Sequence, residues 1–219
     1  MSQETFFNIL QQLAMGLEAT LLVFALTLLF SLPLGMVICV LRMCKLWIVS
    51  LPTKIFISIL RGTPLMLQLL VVFFGPYYIF GLSISDSYRF PAVIIAFSIN
   101  YAAYFAEIFR GGIQAVPIGQ HEAATVLGYS RCQTFFKIIL PQVVKNTLPA
   151  VTNEVITLTK DTSLAFALAY TEMFTLAKQL ASSQRSMIPY IAAGIFYYVL
   201  NFVVAFLMER LEKHYDYYH

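Results

Sequence analysis

Charged residues are scarce in this chain. Only 11% of its 219 residues are Asp, Glu, Lys or Arg, whereas about 25% is usual in a soluble domain. Hydrophobic residues make up 59% of the sequence. A soluble fold is therefore excluded as the default. The net charge of +3 is also too small and too scattered to indicate a nucleic-acid partner.

The sequence also lacks the residue patterns of a metal centre, a disulfide framework and a nucleotide site. Its three cysteines, Cys39, Cys44 and Cys132, have no metal-ligand spacing, and we interpret them as small apolar or loop residues. No glycine precedes Gly-Lys-Ser/Thr at the spacing of a phosphate-binding loop. We therefore expect no metal site and no catalytic site. Any energy that the protein uses must therefore come from a partner.

Long uncharged runs dominate what the sequence does contain. A helix needs about 20 residues to cross the hydrocarbon core, and four of these runs reach or approach that length. They occupy residues 19–41, 62–85, 90–106 and 186–208. A fifth candidate, 142–159, has the right length, although it contains Asn153 and Glu154. We therefore predict an all-α integral membrane protein.

The predicted organisation is a single membrane domain, 1–219, that crosses the bilayer five times. The spans are placed near 17–42, 56–80, 90–110, 142–160 and 187–210. Ten of the 14 basic residues then fall on one side, and the positive-inside rule makes that side cytoplasmic. With an odd number of spans, the N-terminus is expected outside and the C-terminus in the cytoplasm.

The connection 111–140 lies on the predicted cytoplasmic side and is long for a simple join, which needs only a few residues. A helix-favouring run begins at Glu122, and Gly128 is well placed to end it in the left-handed conformation. Ala123 and Ala124 have little side chain, so they let another surface approach the helix closely. The pattern predicts a docking helix rather than a passive loop.

The spacing in this connection resembles the signature of one family. In the membrane permease subunits of ATP-binding-cassette importers, Glu-Ala-Ala is followed by three residues, Gly, nine residues and Ile-x-Leu-Pro. The matching residues here are Glu122, Ala123, Ala124, Gly128, Leu140 and Pro141. The resemblance implies five transmembrane helices of the importer permease type. It also implies a cytoplasmic coupling helix between spans three and four, which docks into a groove of the ATPase.

Four further stretches resemble the branch of this family that imports polar amino acids. They are "RGTPLMLQ" (61–68), "AEIFRGGIQAVPIGQ" (106–120), "NEVITLTKDTSLA" (153–165) and "MERLEK" (208–213). The resemblance implies a multi-pass protein of the bacterial inner membrane. Its implied partners are two ATPase subunits, a second permease copy or close homologue, and an extracytoplasmic amino-acid-binding protein.

The fourth predicted span carries a polar stripe. On a helix, Asn153, Glu154, Thr157 and Asp161 fall on one face. An ionisable side chain deep in a membrane normally faces a bundle interior or an aqueous cavity. We therefore predict substrate contacts at Glu154, Asn153 and Thr157, with Asn100 of the third span as a second buried polar group. A buried carboxylate suits the ammonium group of any amino acid, or the side chain of a basic one.

Other interpretations of these charged residues stay open. Glu154 could instead pair with a basic residue of a neighbouring helix. The Glu107 and Arg110 pair, at a spacing of i, i+3, is expected to be an ordinary helix-end ion pair. Asp161 is expected to cap the following helical stretch, with gating as a second role. We place 164–179 as an extracytoplasmic or re-entrant helix.

Two other functional classes compete with an ATP-driven importer of polar, preferably basic, L-amino acids. An ion-coupled secondary transporter would use Glu154 and Asp161 as proton or cation sites, but it leaves the long cytoplasmic connection unexplained. A structural or assembly protein of the membrane would have no use for the polar stripe. The importer therefore leads, working as a homodimer or heterodimer.

Overall fold

The computed structural model describes residues 3–215, and this part of the chain contains helices and no strand. The helices are α1 (Gln3–Met43), α2 (Trp47–Gly62), α3 (Leu65–Phe80), α4 (Arg89–Gln114), α5 (Ile118–Val126), α6 (Arg131–Thr134), α7 (Leu140–Asp161), α8 (Met173–Gln184) and α9 (Ile188–Tyr215). The predicted all-α class is confirmed.

Helix α1 is longer than the predicted span 17–42. Its 41 residues measure about 62 Å at 1.5 Å per residue, twice the thickness of a hydrocarbon core. The added N-terminal turns are ordered by packing, since Ile9 and Leu13 are fully buried in an apolar cluster with α8 and α9. Hydropathy therefore predicted the part of α1 that is long enough to cross a membrane, but it did not predict the N-terminal extension of the helix.

Helix α4 is the buried centre of the bundle. It packs along α1, α3 and α7, and Phe97, Tyr101 and Phe105 are among its buried side chains. Close approach to α1 depends on Gly35, where an added Cβ would lie 2.8 Å from Phe105 Cβ and 3.1 Å from the Ala102 carbonyl oxygen. The predicted span 90–110 covers all of this helix except its first residue and its last turn.

The predicted span near 56–80 is corrected to two helices. α2 and α3 meet at a bend of 111°, and the intervening Thr63 is extended, with φ −120° and ψ 146°. Pro64 explains the break, because a residue before proline is driven out of the helical region. Thr63 does not cap α3, because its hydroxyl donates to the Ile59 carbonyl at 2.8 Å.

Three helical stretches of the described residues are long and apolar enough to cross a membrane. They are Phe6–Met43, Asp86–Gln114 and Ile188–Tyr215, and the bent pair makes a fourth if it counts as one span. α7 is long enough at 22 residues, about 33 Å, but it carries four charged side chains. A count of five spans depends on this polar helix and stays a prediction.

A π-helical turn joins α6 to α7. The turn, Phe135–Ile139, ends one residue before Leu140, so the chain is helical without a break from Arg131 to Asp161. Pro141 lies in the first turn of α7 as predicted, yet it does not begin a separate helix. Because proline has no N–H for the carbonyl four residues earlier, a wider turn beside it is physically reasonable.

The segment predicted as one helix at 164–179 is corrected to two pieces. A 3₁₀ stretch, Thr162–Leu168, continues directly from α7, and α8 begins only at Met173. Between them, Ala169 has a left-handed conformation with φ 52°. α8 then packs against α1 and α9.

Candidate functional site

The polar stripe of α7 lies on an open face of the chain. Asn153 and Thr157 are exposed and Glu154 is half-buried. The opposite face of the same helix is buried through residues such as Val155 and Leu158. The structure therefore brings Asn153, Glu154 and Thr157 together on one surface, as the sequence predicts, and leaves that surface without a covering helix from the described chain.

Asp161 at the end of the stripe is held by the neighbouring helix. Tyr101 of α4 is 2% exposed, and its hydroxyl donates to Asp161 Oδ2 at 2.8 Å. This bond fixes the height of α7 against α4 at the end of the stripe. Sequence reasoning missed Tyr101, because a tyrosine within an apolar span is usually explained by packing alone.

Asn100 is a buried polar residue of α4, as predicted, and its side chain is bonded within the chain. Its side-chain amide donates to Gln68 Oε1 at 3.0 Å and to the Leu60 carbonyl at 3.3 Å, and only 5% of the residue is exposed. Gln68 Nε2 also donates to the Leu60 carbonyl at 2.8 Å and to Thr63. Asn100 and Gln68 thus satisfy the carbonyls left open at the α2–α3 break, and the amide of Asn100 is not on the α7 stripe.

Helix α5 carries the residues that match the importer signature. Glu122 and Ala123 are exposed, whereas Ala124 is fully buried within this chain. Ala124 packs α5 onto its own chain, whereas Ala123 is open to solvent, and its contact with a partner stays a prediction. Two apolar side chains at the end of this helix are strongly exposed, Val126 at 87% and Leu127 at 73%.

The turn after α5 has the predicted conformation. Gly128 has φ 76°, in the left-handed region that favours glycine. Its N–H donates to the Thr125 carbonyl, and the Tyr129 N–H donates to the Ala124 carbonyl, both at 3.0 Å. An added Cβ at Gly128 would meet nothing within 4 Å, so the turn is open on its outer side. Leu140 is half-buried and Pro141 exposed at the start of α7.

The Glu107–Arg110 pair forms as expected near the end of α4. Glu107 Oε2 accepts from Arg110 Nε at 3.0 Å and from Arg110 Nη2 at 2.5 Å. Glu107 Oε1 also lies 3.8 Å from Arg42 Nε, so the pair extends into a three-membered group. Across residues 3–215, no group of three or more His, Cys, Asp or Glu side chains is placed to hold a metal ion.

A second buried carboxylate escaped sequence reasoning. Glu172 is 0% exposed and caps α8, accepting from the backbone N–H groups of Phe174 and Thr175 at 2.7 Å each. The hydroxyl of Tyr197 on α9 donates to it at 3.0 Å, and that of Thr20 on α1 at 3.5 Å. Glu172 therefore joins three helices. A single acidic residue before an ordinary helix gives no sequence signal of such a role.

Known proteins resemble this chain over nearly its whole length. The arginine transport system permease protein ArtQ of Bacillus subtilis (strain 168) is 37% identical over 206 residues, which cover 90% of each chain. The L-cystine transport system permease protein TcyB of the same organism is 32% identical over 218 residues, covering 99% of this chain and 90% of its own.

A solved structure gives the same picture. In the crystal structure of an amino acid ABC transporter with histidines, the matching chain is 31% identical to this one. The two chains superpose with a TM-score of 0.87, and the match covers 98% of this chain and 99% of the other. Relatives named as permease proteins confirm a transport subunit rather than an enzyme. Residues 31–217, most of the chain, match one family profile. The chain belongs to the family of binding-protein-dependent transport system inner membrane components.

Proposed function

We propose that this chain is the permease subunit of an ATP-driven importer of polar amino acids, with a preference for basic ones. The observation that carries the proposal is the open stripe of Asn153, Glu154 and Thr157 on a helix of membrane length. A polar surface of this kind in a membrane protein serves a solute pathway. The names of the relatives support amino acids as the solute class.

Glu154 is the proposed anchor for the amino acid. The permeases named for arginine and for L-cystine are 37% and 32% identical to this chain. Overall similarity therefore does not indicate which amino-acid side chain the transported solute carries. The α-ammonium group is common to such solutes, and a half-buried carboxylate is its natural partner. Asp161 adds a second carboxylate to the same face, which favours solutes with an extra positive charge.

The pathway requires a second copy of this chain or a close homologue. One helix face touches only one side of a solute, and no helix among residues 3–215 covers the α7 stripe. Exposed apolar residues on α3 and α9 provide further surface for lipid or a second copy, including Tyr78, Tyr198 and Phe202. The bilayer and the second permease then complete the membrane part of the importer.

Energy enters through partner subunits. We assign docking of two ATPases, which bind ATP and Mg²⁺, to the exposed side of α5 around Glu122, Ala123 and Gly128. The exposed side chains of Val126 and Leu127 supply the apolar contact that such docking needs. An extracytoplasmic binding protein delivers the amino acid at the opposite surface. This arrangement requires the N-terminus outside and the C-terminus in the cytoplasm.

Reconstitution tests the function as a whole. The chain is co-expressed with an ATP-binding-cassette ATPase from the same genome, purified as a complex, and placed in vesicles with an amino-acid-binding protein. We expect uptake of radiolabelled amino acid only with ATP, competed most strongly by arginine, lysine or histidine. Uptake driven by an ion gradient without ATP would contradict the proposal in favour of the secondary transporter, which membership of a binding-protein-dependent family does not favour.

Glu154→Gln tests the anchor within that assay. Removing the charge while keeping the shape should raise the apparent KM for amino acids roughly 10- to 100-fold, because a hydrogen bond to a charged group is worth about 1.5–3 kcal/mol. Glu4→Gln is the matched control, since Glu4 is exposed near the start of α1. Unchanged kinetics with every amino acid tested would remove Glu154 from the site.

A further inference from the structure

A basic cavity lies where the ends of α1 and α4 meet α2. Its volume is about 480 Å³, and its lining contains four cations, Arg42, Lys54, Arg61 and Arg110. Glu107 is the single carboxylate in that lining. None of these residues belongs to the exposed α7 stripe or to the α5 docking helix.

The charges in this cavity do not balance. Glu107 is shared between two arginines, with Arg110 bonded closely to one oxygen and Arg42 near the other. Four cations against one carboxylate leave a formal charge of +3 within the lining. An anion from outside the described chain would reduce that repulsion.

Hydrogen-bond donors in the cavity are also left open. Arg42 Nε is buried and has no hydrogen-bond partner within residues 3–215. The Arg61 guanidinium lies over the ring of Tyr104, 5.2 Å from its centroid. A cation–π contact of this kind fixes the guanidinium while leaving its in-plane N–H groups free for an anion. The cavity thus offers donors as well as charge.

Helix α2 places the cavity beside an apolar surface. Leu51, Ile55 and Ile59 recur at helical spacing and are exposed at 46%, 52% and 57%. Lys54 and Arg61, two turns apart, lie on the adjoining face that lines the cavity. A helix with one apolar face and one cationic face lies along a membrane surface, with its cations at the level of the headgroups.

The bend at Pro64 supports that placement. α3 is the apolar half of the bent pair, and α2 turns 111° away from it. If α3 crosses the bilayer, α2 cannot continue across it and instead runs towards the surface plane. Trp47, the only tryptophan of the chain, begins α2 and is 69% exposed, as is usual for an interfacial residue.

We propose that this cavity binds a phosphate group, supplied by the headgroup of an anionic phospholipid. Arginine forks match phosphate oxygens in charge and geometry, and the neighbouring apolar face of α2 contacts the acyl chains. Basic pockets between helices at the cytoplasmic membrane surface bind lipid headgroups in this way. Occupancy would neutralise the excess charge and hold the ends of α1, α2 and α4 together.

Lipid titration of the full-length chain in a neutral detergent tests the proposal. The probes are dioctanoyl phosphatidylglycerol, dioctanoyl phosphatidylcholine and inorganic phosphate. Native mass spectrometry counts bound molecules, and Trp47 fluorescence reports binding beside α2. We expect phosphatidylglycerol to bind more tightly than phosphatidylcholine. Lys54→Gln should weaken phosphatidylglycerol binding about fivefold, and Arg42→Gln combined with Lys54→Gln about 25-fold.

Lys45→Gln is the matched control. It removes the same charge from an exposed residue between α1 and α2 that does not line the cavity, so affinity should not change. Inorganic phosphate that displaces phosphatidylglycerol, with the same sensitivity to both variants, would support the phosphate site but assign it to a soluble anion. Equal affinity for both lipids would overturn the proposal. An unchanged affinity for phosphatidylglycerol in Lys54→Gln would also overturn it. Lys54 is exposed, so the substitution is not expected to disturb folding.

Discussion

The Gly128→Asp variant should insert into the membrane normally and lose ATP-driven uptake. Two effects act together at this position. The left-handed backbone, with φ 76°, costs about 1–2 kcal/mol for a residue with a Cβ. The new carboxylate would also project from the outer side of the turn, where nothing within 4 Å would cover it and where the proposed ATPase docks. We expect uptake to fall at least roughly 30-fold, since a charge left unpaired in an interface costs about 2–5 kcal/mol.

Gly128→Asn separates the two effects. Asparagine has the same shape as aspartate and meets the same backbone cost in the left-handed conformation, but it carries no charge. It should therefore retain measurable uptake and co-purify with the ATPase, whereas Gly128→Asp should not co-purify. Membrane levels of all three proteins are measured by immunoblotting. Wild-type uptake by Gly128→Asp would exclude this turn from the ATPase interface.

The second large effect is expected on stability, at Glu172. Glu172→Ala would leave the N–H groups of Phe174 and Thr175 and the hydroxyl of Tyr197 without their buried acceptor. Each unsatisfied buried group costs about 1–3 kcal/mol. A total loss of about 3–5 kcal/mol corresponds to a fall in melting temperature of roughly 6–20 °C for a chain of this size.

Thermal unfolding in detergent, followed by fluorescence, measures this change. Glu18→Ala is the control, because Glu18 is exposed on α1 and the substitution removes the same carboxylate group. Glu172→Gln should fall between the control and Glu172→Ala, since the amide oxygen still accepts hydrogen bonds but the charge is gone. A melting temperature of Glu172→Ala equal to that of the control would show that the three-helix junction does not depend on this side chain.

Local sequence signals predicted the features that depend on local chemistry. The left-handed turn at Gly128 followed from the position of a glycine after a helix-favouring run, and the shared face of Asn153, Glu154 and Thr157 followed from helical periodicity. Such features depend on a few neighbouring residues. They were accessible before any tertiary contact was known.

Features that depend on distant contacts were not accessible in this way. The 111° bend between α2 and α3 is one example: Pro64 marks a break locally, but the angle between the two helices depends on how each packs in the fold. The hydrogen-bond partners of Asn100 and the burial of Ala124 are decided by the surfaces they meet in the fold, which periodicity does not give. Glu172 belongs to the same class, since its partners on α1 and α9 are far away in sequence.

The unbroken helical stretch from Arg131 to Asp161 has a mechanical consequence. Its 31 residues form a rod of about 46 Å that starts three residues after the Gly128 turn and ends at the Tyr101–Asp161 bond. This stretch has two sites at which a helix commonly bends, the π-helical turn at Phe135–Ile139 and Pro149 inside α7. A displacement at the Gly128 end would therefore reach the carboxylates of α7 only after passing the π-helical turn and, for Glu154 and Asp161, the proline as well.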